Sequence, residues 1–134
     1  MDRKVVDFLN NERVAVLATM LADGTPHTSA MHFIYNDGAL YFSTQPTSRK
    51  AKDLSGITKA SVTVGFSEKD WITIQLDGTL EKTEFAEELH VAKYPEDAEH
   101  IGEEAFFLKF TPTWWRYTDF KTNPPTFIET NNGF

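Results

Sequence analysis

The sequence predicts a mainly β domain in which six or seven short antiparallel strands close a small barrel, with a few helices at its periphery. Three observations lead to this class. Turn signals recur along the chain at Ala22-Asp23-Gly24-Thr25-Pro26, Asn36-Asp37-Gly38, Thr111-Pro112-Thr113 and Asn123-Pro124-Pro125. The runs between turns are rich in β-branched and aromatic residues, the types that fit a pleated surface. Only three short stretches read as helices. The 134 residues are expected to form a single domain over 1–134, with an irregular tail from about residue 121.

Each element follows from local chemistry. Asp2 to Asn10 places Val5, Val6, Phe8 and Leu9 on one stripe and stops at Asn10-Asn11, which predicts a helix capping an open barrel end. Arg13 to Leu21 is β-rich and apolar on both faces; with the Asp23-Gly24 turn and His27 to Tyr35 it makes a hairpin. Asn36-Asp37-Gly38 is a second hairpin turn and leads into Ala39 to Thr44. After a basic helical stretch, strands resume at Ala60 to Phe66 and Trp71 to Leu80. In the second of these, Ile72, Ile74 and Leu76 face one side and Trp71, Thr73 and Gln75 the other, so one face is free to meet a ligand. Phe85 to Tyr94 reads as a helix ended by Pro95, and Ala105 to Phe110 and Trp114 to Phe120 are two last strands divided by Thr111-Pro112-Thr113.

Charge and composition narrow the function. Thirteen basic against twenty acidic residues give a net charge of −7, which argues against nucleic acid and anionic membrane as partners. The chain has no cysteine, so disulfides and thiolate chemistry are excluded. With a charged N-terminal stretch and no long apolar run, a cytoplasmic location is expected. Eleven Phe, three Trp and four Tyr are a high aromatic content, which fits a large interface or a flat ligand as well as a core.

The strongest local signal is Leu40 to Leu54, which reads as a strand, a turn at Pro46 and the opening of a helix capped by Thr47 or Ser48. Helix N-termini favour acids, yet Arg49 and Lys50 fill the first turn and Lys52 follows. From Gly38 to Ser67 the only acid is Asp53. A phosphate on the free N–H groups would turn this repulsion into binding, with Arg49 and Lys50 as charged donors and Ser/Thr hydroxyls as neutral ones. The alternative is a solvated basic face.

In this order the chain resembles the pyridoxamine-phosphate-oxidase-like, FMN-binding split-barrel family, from Val5 to about Phe120. The resemblance rests on Ser43-Thr44 followed by Ser48-Arg49-Lys50-Ala51, with the Asp23-Gly24-Thr25-Pro26 turn and the Asp-Gly hairpin in support. It implies a split barrel that binds FMN as a homodimer, with two flavins at the interface and each touched by both chains. Residues matching Ser43, Thr44, Ser48, Arg49 and Lys50 belong to the phosphate site, and the ring would lie along Met31, His32 and Phe33, held mainly by backbone. Thr73 stands where the family has a glutamine that reaches the ring, and Gln75, on the same face, can take its place. Trp114, with Trp115 and Tyr117, can stack on a flavin or fill a core or interface. The vitamin-forming oxidases carry an Arg and a Lys where this chain has Ser29 and Ile34. Their C-terminal Arg-x-His clamp has no counterpart either, since all four histidines precede Gly102.

Other candidates have plain readings. His27 and His32 lie five apart on a strand and so on opposite faces, which speaks against a shared metal. His90 and His100 fall in Glu81 to Glu104, where nine acids against two lysines predict a solvated surface and pairing with Glu87 or Glu104. No nucleophile elbow or triad is present. The expected function is a flavin-dependent oxidoreductase of an unidentified small substrate, without a required side-chain acid or base. The alternatives are a non-catalytic flavin carrier or sensor, or a split barrel holding deazaflavin or haem.

Overall fold

The computed structural model describes residues 2–44, 56–84, 86–98 and 106–130. Helix α1 (Arg3–Asn11) leads into β1 (Val14–Met20), β2 (Pro26–His32), β3 (Ile34–Asn36) and β4 (Ala39–Thr44). Then come β5 (Thr58–Val64), β6 (Ile72–Thr83), α2 (Glu87–Lys93) with a 3-10 turn at Pro95–Asp97, β7 (Phe106–Asp119) and β8 (Thr126–Thr130). The strands form one antiparallel sheet in the order β2-β1-β5-β6-β7-β4-β3, with β8 added to β7, curled into a half-barrel. No helix among the described residues is long and apolar enough to cross a membrane.

Alternation along the strands sorts the side chains. Leu17, Val62, Ile74, Leu76, Leu80, Phe42, Leu108 and Phe110 point inward and are buried. Helix α1 closes one end of this core with Val5 and Leu9, its start capped by the Asp2 carboxylate, which accepts from the Lys4 N–H at 2.8 Å. Phe8 meets Tyr117 edge-on at 5.7 Å and also reaches Gly65, where a Cβ would come within 2.2 Å of the Ile72 carbonyl. A second cluster lies outside the barrel: Ile34, Ala39, Tyr41 and Phe107 are covered by Ala86, Leu89 and Tyr94. Helix α2 thus covers the β3-β4-β7 side of the outer surface, and no helix among the described residues buries a comparable apolar cluster on β2, β1 and β5.

The hairpin between β3 and β4 has the geometry its sequence demands. Asp37 and Gly38 both take positive φ, 47° and 84°, as a two-residue loop matched to strand twist requires.

Four expectations are corrected, three of them by contacts between distant strands or segments. His27 to Tyr35 is not one strand but breaks at Phe33, whose N–H turns to the Arg13 carbonyl and the Tyr94 hydroxyl, both at 3.2 Å. Ala105 to Phe110 and Trp114 to Phe120 are one strand, β7, rather than two. Its continuity at Pro112 has a simple cause: β7 pairs β4 through Phe110 and β8 from Trp115 onward, so Pro112 lies between those pairings. Its missing N–H breaks no ladder bond on that side, while Gly78 opposite admits the Thr111-Pro112 backbone at a bulge. The tail from 121 is also ordered in part, because β8 pairs Thr126 to Thr130 with Asp119 to Trp115. The strand count is therefore eight among the described residues instead of six or seven. The fourth correction concerns His90, which does not pair with a surface glutamate. It is 3% exposed, and its Nε2–H donates to Asp97 at 2.9 Å. The basic helix after Thr44 and His100 lie outside the described residues.

Two contacts tie the C-terminal end of α2 to the start of the chain. The buried Tyr94 hydroxyl accepts from the Phe33 N–H and has the Arg13 carbonyl, at 2.9 Å, and the Phe33 carbonyl as acceptors for its single proton. Lys93 Nζ donates to the Glu12 carbonyl at 2.6 Å and the Leu9 carbonyl at 3.4 Å, capping α1, and lies 4.3 Å from the Phe33 ring centre. Burial, with the nearby Arg13 guanidinium, brings the Lys93 pKa down to about 8.

Both contacts can be tested. Tyr94→Phe removes the buried hydroxyl that serves the Phe33 N–H and carbonyl at the break, and is expected to cost about 1–3 kcal/mol. This is read as a lower urea midpoint at unchanged slope; a midpoint equal to wild type would show that the break holds itself. For Lys93, a folded pKa below the ordinary lysine value of 10.5 means that the unfolded chain holds more protons between about pH 8 and 10.5. Its contribution to stability therefore rises with pH across that window. The wild-type midpoint measured against Lys93→Met should grow accordingly, and a flat difference would show a solvated ammonium.

Candidate functional site

Two half-sites emerge from the residues singled out in the sequence. The first is at the β2–β3 break. Met31 is half-buried against the core and Phe33 is fully buried, its N–H and carbonyl both engaged by Tyr94. The Phe33 N–H and carbonyl thus already have partners within the chain. His32 sits on the outer face, with its ring stacked on Tyr94 at 4.3 Å and an interplanar angle of 1°.

The second half-site is on β6 and β7. Gln75 is exposed and Thr73 half-buried on the outer face, and Trp114 is half-buried beside the bulge. A row crosses the sheet in register, from Ala30 to Val16, Thr63, Gln75, Arg116 and Glu129. Arg116 and Glu129 end it with an ion pair at 2.7 Å. Three strand spacings, about 14 Å, separate the β2 residues from Gln75, so one chain does not bring both half-sites to the same edge of a flat ring.

Between them the sheet carries small side chains. A shallow groove of about 580 Å³ is lined by Ala18, Met20, Lys59, Ser61, Asp77, Thr79 and Thr113 among others. Ser61 donates to Asp77 at 2.8 Å, and the Thr113 hydroxyl donates to the Asp77 carbonyl at 3.3 Å. Exposed Met20 and Val14 lie on the same strand. At the end of β4, Thr44 is buried and Ser43 half-buried, paired with Phe106 and Phe107. Ser48, Arg49 and Lys50 lie outside the described residues. A flat ligand on this face would meet Lys59 and Thr79 beside the Asp77 carboxylate, while Ser43 and Thr44 precede in sequence the basic stretch that would hold a phosphate.

One cluster escaped the sequence reading. Asp97 Oδ2 accepts from His90 Nε2 at 2.9 Å and lies 3.3 Å from His32 Nδ1. The His90 bond above all, and then His32, holds the Asp97 carboxyl below its usual range. Arg13 lies 4.8 Å from the Tyr94 ring centre and pairs with Glu96. Burial pushes the Tyr94 phenol up to about 12, so it stays a hydroxyl at any ordinary pH. The available signal was the spacing of His90 and Tyr94, four apart and so on one helix face, inside a segment whose acids masked it.

The comparisons with known proteins agree with this architecture. No curated protein matches the chain at a significant level. Among solved structures, General Stress Protein 26 from Bacillus anthracis is 22% identical at a TM-score of 0.73, over 96% of this chain and 97% of that one. A protein from Clostridium acetobutylicum related to general stress protein 26, of the pyridoxinephosphate oxidase family, is 19% identical at 0.73 over 98% and 96%. HutZ, the heme storage protein from Vibrio cholerae, is 17% identical at 0.62 over 83% and 89%. At these identities the likenesses show the fold alone. The family model described as pyridoxamine 5'-phosphate oxidase matches residues 1–119, and the chain belongs to that family.

Proposed function

We propose that the protein is a cytoplasmic FMN-binding homodimer and an oxidoreductase, with the flavin serving a small substrate at the junction of the two copies. The observation that carries this reading is the separation of the two half-sites on the outer face. On that face His32, with Met31 turned to the core beside it, lies three strands from Thr73 and Gln75, a gap that a second copy facing this surface closes by bringing its own Gln75 and Trp114 to the first copy's β2 edge. Exposed Val14 and Met20 and the groove beside them supply apolar surface for the contact. The phosphate would be held by Ser43, Thr44, Ser48, Arg49 and Lys50.

FMN supplies hydride chemistry when bound, so the protein's task is to position and desolvate. Pyridoxamine phosphate is not the substrate in this reading. Ser29 and Ile34 occupy the oxidases' cationic positions, and Ile34 is 5% exposed beneath α2, away from any ligand.

Two measurements test the proposal. Light scattering at micromolar concentration should give a dimer mass, and a monomer that persists with FMN bound would overturn the shared site. Replacing Arg49 and Lys50 with alanine removes two charge-assisted donors worth roughly 1.5–3 kcal/mol each, so FMN should weaken by more than about tenfold while riboflavin binds both proteins alike. Equal FMN affinity would place the phosphate elsewhere, and a haem or deazaflavin spectrum in the purified protein would replace FMN outright.

A further inference from the structure

We propose that His32 is an acid–base residue for the substrate, exchanging a proton at Nε2, with Asp97 as its positioning residue, and that the substrate is an uncharged carbonyl acceptor of the quinone class. This deepens the flavin reading and rests on it.

The geometry selects one ring nitrogen. An ionised carboxylate only accepts, so the Asp97 oxygen facing His32 Nδ1 at 3.3 Å places the proton of the neutral ring on Nδ1. No partner to Nε2 is present among the described residues, and the His32 side chain is 36% exposed. The ring is also fixed in plane by Tyr94, stacked parallel at 4.3 Å. A histidine that only filled space would need neither constraint. His90 holds the other side of Asp97 and is itself buried at 4% side-chain exposure, with Nδ1 unpartnered, so Asp97 has a fixed anchor on α2. The charged and titratable groups around the pair are His90, Tyr94, Arg13, Glu96 and Lys93. Arg13 is neutralised by Glu96, and Lys93 is turned to the α1 carbonyls.

Location gives the ligand its chemistry. His32 stands at the border between the surface that α2 covers and the bare face of β2 and β1, directly across from exposed Val14. Its neighbours on that face, Ala30, Thr28 and Val16, carry no charge, which suits a flat neutral acceptor. In the step itself, a quinone takes a hydride from the reduced cofactor at one carbonyl oxygen. The π electrons shift through its ring to the other oxygen, which takes the Nε2 proton of the His32 imidazolium. The cofactor is oxidised, the quinone becomes a hydroquinone, and neutral His32 with Nδ1–H on Asp97 regains its proton from water.

The test has one arm without cofactor and one with it. In apoprotein with 15N-labelled histidine, neutral His32 should carry its proton on Nδ1, and Asp97→Asn should shift it toward Nε2; a wild-type ring protonated on Nε2 would overturn the proposal. In FMN-loaded, photoreduced protein, His32→Gln should slow reoxidation by 2-methyl-1,4-naphthoquinone by about a hundredfold or more, since general acid catalysis is worth at least that. Reoxidation by ferricyanide, which takes electrons and no proton, should change little. Equal slowing with both acceptors, or none with either, overturns the role of His32 while leaving the flavin reading intact. Failure of wild type to load FMN overturns the flavin reading and this step with it.

Discussion

The Tyr94 hydroxyl at the β2–β3 break is the contact on which the rest of the structure depends. A barrel of this size must turn the chain sharply where one side of the sheet gives way to the other, and at that point the backbone leaves the ladder with polar groups to satisfy. Tyr94 satisfies them from 61 residues away, accepting from one N–H and facing two carbonyls with a single proton. Because the same side chain is fully buried and belongs to the outer cluster with Ile34, Tyr41 and Phe107, the break is anchored by packing as well as by hydrogen bonds.

That anchor divides the outer surface in two, and the division is what makes a site possible. On one side α2 covers β3, β4 and the start of β7. On the other, β2 and β1 present alanines, threonines and valines with Met20 exposed among them. Small side chains permit close approach by a flat molecule or another sheet, and the groove there holds a serine, threonines, one lysine and one aspartate. His32 is placed at the seam by the break itself: Tyr94 at its side and Asp97 at its Nδ1 both come from the segment that α2 brings down.

Function in this fold therefore depends on register. The row from Ala30 to Glu129 holds because each strand keeps its pairing, and the bulge opposite Gly78 lets β7 pass without breaking it. A glycine there is required by the approach of the Thr111 carbonyl, since a Cβ would meet it at 2.2 Å.

By itself the sequence determined what is local: the Asp37-Gly38 turn, the alternation of Ile74 and Leu76 against Gln75, the α1 stripe, and the order of strands that marks the family. These rest on backbone preference and side-chain period, which neighbouring residues set. Tertiary structure alone decided the rest. Nothing near Phe33 says that its strand must break, because the partner is Tyr94; nothing near Pro112 says that β7 continues, because the gap between β4 and β8 and the missing Cβ of Gly78 permit it. Thr126 to Thr130 becomes a strand only because β7 offers a free edge. His32, Asp97 and His90 form one site only after the fold closes, because hydrogen bonds between residues 65 apart leave no trace in the spacing of either.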